Sequence, residues 1–188
     1  MSETSDEYLK SEFEKKFASE NVIKDFFSPF LFHEKNTIQL LIHKLKYEKM
    51  FLTGIFLGEL LGDKILTRRE FKIDLILPVP LHSLKQAERG YNQSDFIAKG
   101  LSKKLKSKYD KTLLKRIRFT PSQTNFDSLE RKENVREAFE IRNVKLIKGK
   151  NVCIVDDVIT TGSTIKECAK ILNENGAANI YAVSVGLP

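Results

Sequence analysis

Cysteine is scarce in this chain of 188 residues: there are two, Cys153 in an apparent strand and Cys168 in an apparent helix. Two thiols cannot build a four-cysteine zinc site, and they read as buried and reduced. No run of about 18 consecutive apolar residues is present, so no segment is expected to span a membrane. The opening MSETSDEYLKSEFEKK lacks the basic start and apolar stretch of a secretory signal, and a cytoplasmic location is expected. The chain also lacks a Gly/Ser/Pro linker, an internal repeat and a low-complexity tract. His33, His43 and His82 have no metal spacing and read as surface or satisfied core residues, and no direct protein cage for a metal is visible. Neither G-x-x-x-x-G-K-[ST] nor G-x-G-x-x-G occurs, which removes the nucleotide P-loop and the dinucleotide fingerprint.

What is present is the composition of an ordinary globular protein, 41% hydrophobic and 30% charged, at a length that fits one domain with a real core. The net charge of +7 is unevenly spread. Residues 1–34 carry 4 Lys and 8 acids, residues 35–150 carry 26 Lys/Arg and 13 acids, and residues 151–188 carry 2 Lys and 4 acids. An anionic partner is therefore expected at the middle segment. Its densest part, from Lys99 to Arg118, holds nine basic residues and one acid.

The patterning predicts an α/β chain. Residues 1–34 lack a clear amphipathic period and read as an N-terminal arm or helix, ahead of a domain over 35–188. Ile38, Leu41, Ile42 and Leu45 step at helical spacing, and a second helix is predicted from Phe51 to Leu61, ending near Gly62. KIDLILPVP reads as a strand stopped by Pro78 and Pro80, followed by a polar loop, LHSLKQAERGYNQS. A helix is predicted from Ser94 to Lys106, then a strand in KTLLKRIRF, a short helix in SLERKENV and a short strand in AFEI. The last unit is the clearest: a strand at 151–155, a loop at 156–162, a helix at 163–175 closed by Gly176, and a strand in NIYAVSVG. Strand, helix and strand at that spacing imply a βαβ unit and a parallel sheet.

NVCIVDDVITTGSTI, residues 151–165, carries the chemistry. Ligands of parallel sheets gather beyond the carboxyl ends of the strands, where Asp156, Asp157 and the following loop are expected. A loop turning directly into a helix offers free N–H groups and the positive end of the helix dipole, which suit a phosphate. Gly162 permits a left-handed turn and close approach of an anion. Thr160, Thr161, Ser163 and Thr164 supply hydroxyls, and Ser163 is a candidate helix cap. Carboxylates repel phosphate, but they accept hydrogen bonds from vicinal hydroxyls and hold Mg²⁺ directly or through water. A phosphate beside a diol describes a ribose 5-phosphate.

These residues resemble the fingerprint of type I phosphoribosyltransferases, which bind 5-phosphoribosyl 1-diphosphate (PRPP). Together with IHKLKY, LILPVPLHSLKQAERGYNQS and LLKRIRFTPSQTNFDSLERKENVREAFEI, the resemblance narrows to the ComF branch, associated with DNA uptake during natural competence. It runs from about residue 37 to 187. It implies a parallel-sheet type I phosphoribosyltransferase fold with helices on both faces, PRPP with Mg²⁺ as ligands, Asp156 and Asp157 on the ribose hydroxyls, and Thr160, Thr161, Gly162, Ser163 and Thr164 on the 5-phosphate. By the same resemblance Lys85 and Arg89 suit a diphosphate-binding loop, and Arg118, Thr120, Gln123 and Arg131 match a mobile loop over the site. The family commonly begins with a cysteine-rich zinc module; no cysteine precedes Cys153 here.

Two alternatives to this site reading fare poorly. A receiver domain also pairs aspartates after a strand, but roughly 100 further residues would be needed, and 31 follow Asp157. An ordinary strand–loop–helix corner would hold two adjacent acids close together with no cation or donor to offset their repulsion, which is costly. If the protein is an enzyme, a nitrogen nucleophile would displace pyrophosphate from C1 of the ribose through an oxocarbenium-like transition state. The protein would chiefly position the ribose and neutralise the leaving diphosphate. Some purine-salvage relatives place a third carboxylate at the position of Thr160, so hypoxanthine and guanine are not expected acceptors. The competing reading is a non-catalytic module for single-stranded DNA, using Lys99, Lys103, Lys104, Lys106 and Lys108. Its rival is a solvated amphipathic helix.

Overall fold

The computed structural model describes residues 2–19, 21–117 and 138–188. Among the described residues, six strands form one sheet. Its path runs β1 (Asp25–Phe27), β8 (Asn179–Leu187), β7 (Asn151–Val158), β3 (Leu75–Pro78), β4 (Lys108–Tyr109), and β2 (Phe30–Leu31) adds a second partner to β8. Every pairing in it is parallel. A separate antiparallel pair joins β5 (Leu114–Arg116) to β6 (Phe139–Ile141). All of β3, residues 152–155 of β7 and residues 180–187 of β8 are buried, so both faces of the sheet centre are covered. Continuous Val/Ile/Leu runs, rather than alternation, follow from that double burial. The result is an α/β fold on a parallel sheet.

The segment before residue 35 is part of this core. Helix α1 (Asp6–Phe17) is capped by Ser5, whose side chain accepts from the Tyr8 N–H, with Asp6 and Glu7 at its positive end and Lys15 and Lys16 at its negative end. Phe17 meets Phe26 of β1 at 5.5 Å between ring centres, and both are buried. The packing shows no break at residue 34. The sequence hid this because β1 and β2 are only three and two residues long.

Helix α2 (Thr37–Tyr47), capped by Asn36, buries Ile38, Ile42 and Leu45. Helix α3 (Phe51–Leu66) runs through Gly62 instead of ending there. A Cβ on Gly58 would lie 2.0 Å from the Ile97 carbonyl oxygen of α5 (Gln93–Leu105), and one on Gly100 of α5 would lie 2.0 Å from the Ile55 carbonyl oxygen. Gly54, Gly58 and Gly62 thus form the face on which α5 lies backbone to backbone, and close approach explains them better than helix termination. The stretch expected as a polar loop contains a short helix, α4 (Ser83–Arg89). His82 caps it, its Nδ1 accepting from the Leu84 N–H at 3.2 Å, and Gly90 (φ +79°) ends it. Helix α6 (Ser163–Glu174) joins β7 to β8, and Gly176 (φ +82°) follows its C-cap, Asn175. Cys153 and Cys168 are buried and unbridged, and burial pushes both thiols up. Among the described residues no helix is long and apolar enough to cross a membrane.

The sheet order fixes where a ligand fits. The chain leaves β3 toward β4 on one side and leaves β7 toward β8 on the other. Loops after β3 and β7 therefore diverge, opening a crevice between their carboxyl ends.

Candidate functional site

Strand β7 continues further than the sequence suggests. Asp156 is paired with Ser184 and Val158 with Gly186, so both acids stand inside the ladder and the loop begins at Ile159. Consecutive strand residues point to opposite faces, and the two carboxylates accordingly find different partners. Asp156 Oδ1 accepts from the Ser94 hydroxyl at 2.9 Å and from the Asp157 N–H at 2.9 Å. Asp157 is buried; its Oδ1 accepts from the Val158 N–H at 2.7 Å, and its Oδ2 lies 2.6 Å from the Lys46 ammonium.

Asp156 carries the larger electrostatic load. Burial, and then the Asp157 charge, push its carboxyl up to about 7, against the donors from Asp157 and Ser94 and the Lys46 charge. A carboxyl so disposed gains from any donor or cation that enters the crevice.

The loop after β7 is built for close approach. Asp156, Val158, Ile159 and residues 160–165 line a cleft of about 70 Å³. Gly162 sits at φ +78°, and a Cβ there would meet the buried Phe17 ring at 2.8 Å. The left-handed turn and the ring beneath it both require glycine. Gly162 is also the N-cap of α6, so the helix has no side-chain cap, and Ser163 is its first residue rather than its cap. The Ser163 hydroxyl lies 3.0 Å from that of Thr161, whose Oγ1 also accepts from the Ser163 N–H at 3.4 Å. Thr160, Thr161 and Ser163 are exposed and Thr164 half-buried. An uncapped helix start ringed by hydroxyls suits a phosphate.

A group of cations faces this edge. Lys85 on α4 is half-buried and held below the usual lysine range by burial and by the charges of Arg116, Arg89 and Lys46, with Glu88 opposing. Burial holds Arg116 of β5 below its ordinary value, with Cys168 and Asp156 acting the other way. Arg89 donates to Gln93 Oε1 at 3.1 Å and lies 5.5 Å from the Tyr47 ring centre. A lysine depressed by neighbouring cations favours a bound anion.

The lysines expected on a nucleic-acid face are largely engaged. Lys103 and Lys104 of α5 pair with Glu59 and Asp63 of α3 at 2.6 and 2.8 Å, and Lys99 lies over Phe96. Lys106, in a left-handed turn, and Lys108, on the edge strand β4, make no ion pair among the described residues. Arg118, Thr120, Gln123 and Arg131, and the short helix expected in SLERKENV, lie outside the described residues.

Lys46, Ser94 and Arg116 were not singled out from sequence. Ser94 is 62 residues from Asp156, and nothing in local periodicity links them. Only the adjacency of β3 and β7 could have done so, because it carries the segment after β3 up to the acids.

Comparison with known proteins places the chain in a family. Residues 91–186 match the phosphoribosyl transferase domain family. The chain is 36% identical over 147 residues to DNA utilization protein YhgH of Salmonella typhi, covering 76% of this chain and 64% of that protein. It is 33% identical over 153 residues to competence protein F of Haemophilus influenzae, covering 79% and 67%. A solved adenine phosphoribosyltransferase from Thermoanaerobacter pseudethanolicus aligns at 19% identity and a TM-score of 0.46, over 74% of this chain and 83% of that one. The matched region spans somewhat less than two thirds of the Salmonella relative's length. The chain belongs to the phosphoribosyl transferase domain family and, within it, is a ComF-type, phosphoribosyltransferase-like protein.

Proposed function

We propose that this protein binds PRPP, with the 5-phosphate at residues 160–164 and the ribose hydroxyls at Asp156 and Asp157. The observation that carries the reading is the left-handed, uncapped turn at Gly162 directly beside the paired carboxylates at the crevice between β3 and β7. Lys85 and Arg89 take the diphosphate, a role supported by the depression of Lys85 through burial and the neighbouring charges of Arg116 and Arg89. Residues Arg118, Thr120, Gln123 and Arg131 remain part of this proposal as the covering loop.

Mg²⁺ fits the donor set. Asp156 is a hard oxygen donor at the cleft, and one or two carboxylates with ligand phosphates make up the usual Mg²⁺ site. When bound, the ion would supply neutralisation of the leaving diphosphate. The chain's own residues orient the ribose: Ser94 fixes the Asp156 carboxylate, and Lys46 holds Asp157 through its Oδ2 at 2.6 Å, where the ribose hydroxyls would join it. A nitrogen nucleophile then displaces pyrophosphate from C1, and the protein serves DNA utilization or competence, as the names of its relatives suggest. The reading as a non-catalytic single-stranded DNA module is less favoured, because Lys103 and Lys104 are already paired with acids.

A series of sugar phosphates tests the diol. Ribose 5-phosphate should raise the melting temperature more than 2-deoxyribose 5-phosphate or inorganic phosphate at equal concentration, since a ligand of the native state stabilises in proportion to its affinity. Equal shifts from all three would mean that the carboxylates do not read hydroxyls.

A further inference from the structure

The last turn of α2 brings a cation to the paired acids from outside residues 91–186, the part of the chain that matches the phosphoribosyl transferase domain. That cation is Lys46, and its place is fixed from two sides. Ile38, Ile42 and Leu45 bury the inner face of α2. The Tyr91 hydroxyl donates to the Leu45 carbonyl, which ties the turn holding Lys46 to the segment after Arg89. The Lys46 ammonium then stands 2.6 Å from Asp157 Oδ2.

The surroundings of Asp157 leave little scope for a second cation. Its Oδ1 accepts from the Val158 N–H at 2.7 Å. Its Oδ2 is buried, and among the described residues Lys46 is its ion-pair partner. The Asp157 side chain is 6% exposed and that of Lys46 23%, so the ammonium is the accessible half of the pair. The Lys46 charge also acts on Asp156 and on Lys85, which sets it between the acids and the cations of the crevice. A metal ion and an ammonium compete for one carboxylate oxygen, and around a buried pair their mutual repulsion is little screened. The ammonium carries three donors, more than one oxygen takes, and the others can meet a ligand oxygen. Without it, Asp157 would be a buried charge lacking its countercharge, a costly state that a cation from solution relieves.

We infer that Lys46 takes the place of a divalent cation at Asp157: metal is confined to the Asp156 and diphosphate side, and the ribose hydroxyl on the Asp157 side is met by an ammonium. The inference rests on the PRPP reading for the sugar, but not for the cation.

Titration of the full chain with Mn²⁺, followed by electron paramagnetic resonance with no sugar present, tests the cation. Lys46→Met should bind Mn²⁺ roughly tenfold or more tightly than the wild type, because it leaves Asp157 without its partner. Lys46→Arg, which keeps the charge, should match the wild type, and adding Asp157→Asn to Lys46→Met should remove the gain. If Lys46→Met fails to fold, Lys46→Gln, which keeps a donor toward Oδ2, takes its place. Equal Mn²⁺ affinity with and without the ammonium would overturn the inference, as would a gain that survives Asp157→Asn. Calorimetry with ribose 5-phosphate, which has no diphosphate, tests the sugar. The wild type should bind it equally tightly in Mg²⁺ and in EDTA, and Lys46→Met should bind it more tightly with the metal. A wild type that needs the metal, or a Lys46→Met protein indifferent to it, would overturn the inference. A wild type that binds no ribose 5-phosphate in either buffer would contradict the PRPP reading, and the Mn²⁺ comparison would then decide the place of Lys46 by itself.

Discussion

At the scale of single residues, the site is a place where stability is given up for function. Asp156 is raised in the folded state to about 7, chiefly by burial and then by Asp157. The sign follows from linkage: an acid raised on folding stabilises below its unfolded value near 4, and that contribution is lost as pH rises through about 7. Asp156→Asn keeps an oxygen for the Ser94 and Asp157 donors but removes the charge. The variant should therefore be more stable than the wild type at pH 8, by on the order of a few kcal/mol, and the two should converge toward pH 4. Urea unfolding at several pH values measures this; a difference independent of pH would show that the charge is not confined as described. Asp156 and Asp157 were legible in the sequence because two adjacent acids ending an apolar run have few structural uses. Their counterparts Ser94 and Lys46 were not, because a partner brought from another strand or helix leaves no local trace.

At the scale of elements, periodicity revealed the helices and the last βαβ unit, and glycine misled. A glycine after an apolar run usually marks a helix end, and the run over Phe51–Leu61 was read that way. Gly62 lies instead inside α3, where a Cβ would meet Lys104 of α5 at 2.6 Å. The signal that distinguishes the two cases is the repeat of glycine at 54, 58 and 62, one helical face, facing a fourth at 100. Gly58→Ala should lower stability by about 1–3 kcal/mol or more, since its Cβ would collide with the Ile97 carbonyl, which is backbone and cannot rotate away. Thermal unfolding checks this; an unchanged melting temperature would mean that α3 and α5 can separate freely. The strands of the N-terminal segment escaped the sequence reading for a different reason: two or three residues have no measurable period.

At the scale of the whole molecule, the sheet order brings the acids of β7 and the loop before α6 to one crevice, and Arg116 of β5 is near enough to feel the Asp156 charge and to act on Lys85 of α4. The N-terminal helix supports that arrangement from beneath, through Phe17 against Gly162. This was not legible in an acidic segment without a clear amphipathic period; only the fold shows that its phenylalanines complete the core. The most direct measurement is a calorimetric titration of PRPP with Mg²⁺ into the wild type and into Asp156→Asn. At pH 8 the expected result is saturable binding to the wild type and affinity lowered at least tenfold in the variant, although the variant is there the more stable protein. Equal binding to both, or none to the wild type, would contradict the assignment of this crevice to a phosphorylated ribose.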